Sequence, residues 1–137
     1  MAVKIVEITT NTHGTTQKAI IECDRQKRTL ALIMENGLKK IYAAHDLYEC
    51  LGLLRADFPE TKFLCKGAKL NVYPSRMASQ MSAGVVAYEH HLGRSAEPED
   101  LVNIFDYEEI DITHDIQQQR EFYKRWLDSL QSNLDVR

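Results

Sequence analysis

Short apolar runs punctuate the first forty positions, and the first of them alternates, imperfectly, with polar residues at a period near two, the signature of a strand with one buried face. Residues 2–9 alternate around Val3, Ile5 and Ile8, Ala19-Ile20-Ile21 form a second short run, and "TLALIM" a third. Asn36-Gly37 suits a two-residue hairpin turn, since both positions tolerate positive φ, and "LKKIYAA" returns as a fourth strand. The period then lengthens. Leu47, Leu51, Leu54 and Phe58 recur at helical spacing, with Asp46 as the cap, Glu49 three residues on, and Phe58-Pro59 as the stop.

The second half reads as short strands, "KFLCKG", "KLNVY", "VVAYEHHL" and "LVNIFDY", interrupted by a helix over 75–83. Ser75 is its expected N-cap and Gly84 its C-terminal stop. Met77 and Met81 lie four apart and are expected to face the core, opposite Arg76, Ser79, Gln80 and Ala83. A last helix over 114–131 is expected to start at Thr113 with Asp115 in its first turn. Its stripe would be Ile116, Tyr123, Leu127, Leu130 and Leu134, thickened by Trp126. The expectation is a single α+β domain over residues 1–137: an antiparallel-rich sheet packed with about three helices. Leu47, Leu51, Leu54, Met77, Met81, Tyr123 and Leu127 supply its core.

Length and composition agree with one ordinary core. The 137 residues are 44% hydrophobic, with only three prolines and six glycines. No apolar run approaches the roughly 18–20 residues needed to span a bilayer, and the opening "MAVKIVEITT" lacks the apolar core of a signal peptide. Three cysteines without metal spacing (Cys23, Cys50, Cys65) suit reduced thiols in a cytoplasmic protein.

Charge changes the picture. The net charge is −3, yet residues 97–115 hold eight acids and no Lys or Arg, leaving 17 bases against 12 acids elsewhere. An acidic segment interrupted by "LVNIF" is anchored by its apolar residues and projects its carboxylates, either as a solvated face or as a surface that steers a basic partner. Glu97, Glu99, Asp100, Glu108, Glu109 and Asp111 are the candidate partner-binding acids, with Tyr107 and Arg76 as further contacts. Arg76 is an odd choice. A cation in the first turn of a helix opposes the helix dipole and becomes favourable only beside an acidic partner, substrate or internal carboxylate.

Candidate chemistry is sparse. His90 and His91 are adjacent, so in a strand they point to opposite faces and cannot share a metal. His45 and His114 each precede an Asp near a helix start, which suits turns as well as catalysis. No phosphate loop, zincin helix or paired-cysteine motif is present, so the expectation is no catalytic residue, no metal and no cofactor. The Lys and Arg residues form no single stripe, which argues against direct nucleic-acid binding.

The stretch "LCKGAKLNVYPSRMASQMSAGVVAYEHHLGR" followed by "LVNIFDYEE" carries a P-S-x-M segment (Pro74, Ser75, Met77), a G-x-x-A-Y segment (Gly84, Ala87, Tyr88) and an L-V-x-I-F segment (Leu101, Val102, Ile104, Phe105). Residues 64–109 thereby resemble small bacterial proteins found as immunity partners of secreted or contact-delivered toxins. The resemblance implies stoichiometric blockade of a cognate protein toxin with a basic surface, without turnover or membrane insertion. Its motifs are structural and carry over no binding residue. The alternative is a small cytosolic enzyme whose site is assembled from scattered His, Cys and acidic residues.

Overall fold

The computed structural model describes residues 3–34 and 37–135, and side chains through residue 131. Four strands form the expected meander: β1 (Val3–Thr12), β2 (Thr15–Asp24), β3 (Thr29–Ile33) and β4 (Lys39–Ala43). Alternation sets their faces, so Ile8, Thr10, Ile21, Cys23, Leu30 and Leu32 are buried while Val3, Ile5 and Ile41 remain exposed. β1 and β2 run longer than their apolar cores because a two-residue turn at His13-Gly14, both with positive φ, continues the pairing to Thr12 opposite Thr15. Of the expected Asn36-Gly37 turn, Asn36 lies outside the described residues; Gly37 has φ +85°.

Helix α1 (Leu47–Asp57) then crosses one face of the sheet. Asp46 caps it by accepting from the Glu49 amide at 2.8 Å, and Leu47, Leu51 and Leu54 are wholly buried. The crossing carries the chain to the far edge, where β5 (Thr61–Leu64) pairs with β1. The sheet order is therefore β4-β3-β2-β1-β5, all antiparallel.

A second antiparallel sheet, β6-β7-β8, joins Val72–Tyr73, Val86–Glu89 and Leu101–Asn103. Its strands are shorter than the apolar runs suggest. Residues 66–68 leave the strand for a 3₁₀ turn, and the chain after Asn103 turns back through Ile104, whose side chain is wholly buried. Ile21, Leu30, Leu51, Val72, Ala87 and Ile104 belong to one hydrophobic cluster, so both sheets and α1 share a core. The fold is α+β.

Helix α2 (Arg76–Ser82) has the expected ends. Ser75 Oγ accepts from the Ala78 amide at 3.0 Å, and Ala83 and Gly84 take positive φ. Gly84 is required twice over, since a Cβ there would stand 2.8 Å from Asp46 Cγ. The face it buries, however, is the opposite of the one expected: Met77 and Met81 are 72% and 79% exposed. Ser79, Ser82 and Ala83 point inward instead. Their small side chains let α2 approach α1 closely enough for Ser79 to donate to Asp46 Oδ2 and for the Leu47 amide to reach the Ala83 carbonyl at 2.7 Å. Two thioethers in that position would hold the helices apart.

Helix α3 (Ile116–Asp135) starts later than expected. Asp115 stands just ahead of it and accepts from the Gln117 amide at 2.9 Å, while Thr113 Oγ1, two residues earlier, accepts from the Asp115 amide. Its inward stripe is Ile116, Gln119, Tyr123, Trp126 and Leu130, alternating three and four residues. Leu127 falls off that stripe and is 45% exposed, and the Leu134 side chain lies outside the described residues. The Trp126 indole donates to the Arg94 carbonyl, tying the helix to the loop after β7. Among the described residues, no helix is long and apolar enough to cross a membrane.

Candidate functional site

The acidic segment does not form one open face. Two of its candidate acids are inside the molecule. Asp100 is 7% exposed, accepting from Arg94 Nη2 at 3.0 Å and from the Glu97 amide at 2.9 Å. Glu108 is 9% exposed and serves as a structural anchor. Its Oε1 accepts from Lys66 at 2.9 Å and Lys69 at 2.8 Å, and Lys66 also donates to Glu89 at 2.6 Å. Burial alone would raise the Glu108 carboxyl. The hydrogen bonds from Lys69, the Ile110 amide and Lys66 outweigh it and hold the group down at about 2. Burial likewise opposes the charge on Lys66, but Glu89 and Glu108 turn the balance and raise it. From the sequence Lys66 and Lys69 read only as part of a modest basic group, and Glu89 carried no signal. The signal was there in two lysines three apart around a 3₁₀ turn, but their partners come from β7 and a distant loop.

The buried Glu108 organises what surrounds it. Its second oxygen accepts from the Glu109 and Ile110 amides at 2.9 and 3.0 Å, and Cys65 bridges Tyr107 in antiparallel fashion. The turn 107–111 is thus held by three cross-connections and presents Tyr107, Glu109, Ile110 and Asp111 to solvent. Tyr107 is 56% and Ile110 62% exposed, and the Tyr107 hydroxyl donates to Glu109 at 2.8 Å. Asp111 takes φ +57°, which its short polar side chain tolerates. Glu97 and Glu99 are also exposed, on the 3₁₀ turn that precedes β8, whereas the 107–111 turn follows that strand. Exposed carboxylates and exposed apolar side chains therefore alternate on a fixed backbone.

Arg76, the remaining candidate, belongs to a different feature. It lines a cavity of about 560 Å³ between α2, the N-terminal end of α1 and the flank of α3. Arg28, Arg120, Asp46, Glu49, Tyr73 and Tyr123 also line it. Arg28 Nη1 donates to the carbonyls of His45 and Ser79 at 2.6 and 3.2 Å, which ties the β2–β3 turn to both helices. His45, Asp46 and Glu49 offer ligand atoms within 4.8 Å of one another, the set from which a metal site at this rim would be built. Those atoms already engage one another, with His45 Nδ1 2.5 Å from Glu49 Oε2 and Nε2 3.4 Å from Asp46 Oδ2.

The sulfur and imidazole groups are placed for packing. All three cysteines are buried, and burial pushes Cys50 and Cys65 up to about 11 and raises Cys23 as well. A thiol so displaced is not a nucleophile at neutral pH. His90 and His91 diverge as their adjacency requires: His91 is exposed, while His90 packs 4.2 Å from the Trp126 ring and bonds the Tyr73 carbonyl. Burial lowers the His90 imidazole, keeping it neutral. No protein-family model and no curated protein matches the chain.

Proposed function

We propose that the chain is a stoichiometric binding protein that blocks a cognate protein toxin with a basic surface, the immunity role its resemblance implies. One observation carries the reading: the turn 107–111, clamped from beneath by buried Glu108, displays Tyr107 and Ile110 together with Glu109 and Asp111. Aromatic and aliphatic anchors ringed by charge are the usual source of binding energy and of fast encounter. A backbone already held in place loses little entropy on docking. Glu97 and Glu99 extend the negative field, while Asp100 and Glu108 act as supports rather than contacts. A scattered-residue enzyme has less in its favour, because the thiols are buried and protonated.

The test begins with the neighbouring gene, where this reading expects a toxin domain, and measures association of that domain with the chain by stopped flow at several salt concentrations. Tyr107→Ala should weaken binding by about tenfold or more, through faster dissociation. Neutralising Glu97, Glu99, Glu109 and Asp111 together should slow association and flatten its salt dependence. Wild-type rate and salt slope in both variants would remove these residues from the interface.

A further inference from the structure

We propose that the cavity between α1, α2 and α3 binds a small organic anion, a phosphate or carboxylate carried on a planar ring, with Arg76 as its principal charge contact. The volume, about 560 Å³, lies within the range of small-molecule sites.

The electrostatics of the lining point to an anion. Three guanidinium groups, Arg28, Arg76 and Arg120, share the lining with two carboxylates; both carboxylates are engaged, and so are Arg28, on the His45 and Ser79 carbonyls, and Arg120, beside Glu49. Asp46 accepts from the Glu49 amide and from Ser79 Oγ, with His45 beside it. Glu49 holds His45 at 2.5 Å and Arg120 at 3.8 Å. Arg76 has neither a hydrogen bond nor an ion pair among the described residues. It sits at the first position of α2, where the amide dipoles repel a cation. Exposed at the rim, a guanidinium in such a place lowers its free energy by meeting an anion, and none of the described residues supplies one. Ser75 Oγ accepts from the Ala78 amide, which leaves its O–H free to donate toward the same opening.

The aromatic part of the lining selects the body of the ligand. Tyr73 and Tyr123 line the cavity but stack on each other at 4.3 Å with 16° between their planes, and Tyr123 also stacks on Trp126, so the faces between these rings are taken; Ile116 lies on the same lining. The ring edges and apolar surface that remain, beside a guanidinium, fit a ring that meets them edge to face and carries its charge at one end.

Calorimetry on the full chain tests this with four probes: inorganic phosphate, benzoate, a nucleoside 5′-monophosphate and the corresponding uncharged nucleoside. A ring-bearing anion should bind more tightly than inorganic phosphate, and the uncharged nucleoside should bind about tenfold more weakly or not at all. Comparing benzoate with the monophosphate separates a carboxylate ligand from a phosphate ligand. Arg76→Gln should weaken the preferred anion by about tenfold, and Arg76→Lys should recover part of the loss. Thermal melts of both variants establish that they fold. Absence of binding by every probe at concentrations on the order of 10 mM overturns the proposal. So does equal binding by wild type and Arg76→Gln. Inorganic phosphate binding as tightly as the ring-bearing anions overturns the role of the tyrosine wall. None of these outcomes depends on the toxin partner.

Discussion

Helix α1 places a buried charge at each end, and the two ends are used differently. At its start Asp46 is 1% exposed, with the Glu49 amide and the Ser79 hydroxyl donating to it. In its last turn Arg55 is fully buried, with Nη1 on the Thr113 carbonyl and Nη2 on Gln119 Oε1, each at 2.5 Å. Both charges agree in sign with the helix dipole, an anion at the N-terminus and a cation at the C-terminus. The Arg55 end is closed. No ion pair engages Arg55 among the described residues, and Gln119 passes the connection on through its amide to the carbonyls of Gly67 and Lys69. The Asp46 end opens into a cavity whose rim carries Arg76, a cation against its own helix dipole. Charges that agree with nearby dipoles and find acceptors hold the structure together. A charge that opposes its dipole and finds no partner inside is available for a ligand.

The largest effect should come from breaking the closed end. Arg55→Ala strands the Gln119 and Thr113 acceptors and opens a void between α1 and α3, so a loss on the order of 3 kcal/mol or more is expected in urea unfolding. Full stability in that variant would mean that the Arg55 connections carry no net weight.

A second test lies away from α1, at the buried carboxylate of the partner-binding turn. The folded Glu108 carboxyl is held down at about 2, below the ordinary value of 4.5. Its contribution is therefore complete above pH 4.5 and lost as the pH falls toward 2, because protonation favours the unfolded chain, which holds its proton more tightly. Glu108→Gln should cost about 2–3 kcal/mol at pH 7, and the gap from wild type should close between about pH 5 and pH 2. A gap independent of pH would show that packing, not charge, is what Glu108 supplies.

The smallest effect belongs to Arg76. Removing a cation that opposes its helix dipole should leave stability unchanged or raise it by up to about 0.5 kcal/mol. Marked destabilisation of Arg76→Gln in thermal melts would assign it a structural role and erase the contrast with Arg55.

Much of the framework was legible in the chain. Short apolar runs, the first of them alternating, located the four-strand meander, and the Leu47, Leu51, Leu54 spacing with its Asp46 cap located α1. The His13-Gly14 turn was less visible because His-Gly is not among the Asn-Gly, Asp-Gly and Gly-Gly pairs that mark a two-residue hairpin. The face of α2 was misjudged because seven residues make only about two turns. Over that length, hydrophobic spacing does not outweigh the small-residue contact that Ser79 and Ala83 make with α1. Gln119 escaped notice for the opposite reason: it lies on the α3 stripe at helical spacing, but as a polar residue it carries no hydrophobic signal.

The candidate site divides along the same line. By itself the sequence determined that residues 97–115 carry acids without bases, that apolar residues interrupt them, and that Arg76 stands at a helix start. Only the tertiary structure decided that Glu108 and Asp100 turn inward, that Tyr107 and Ile110 turn outward, and that Arg76 meets a cavity rather than a carboxylate. Local sequence sets dihedral preferences and spacing, and those act over a few residues. Whether a charge is buried depends on partners such as Lys66 and Lys69, some forty residues from Glu108, because Coulomb and hydrogen-bond energies follow distance in space rather than distance along the chain.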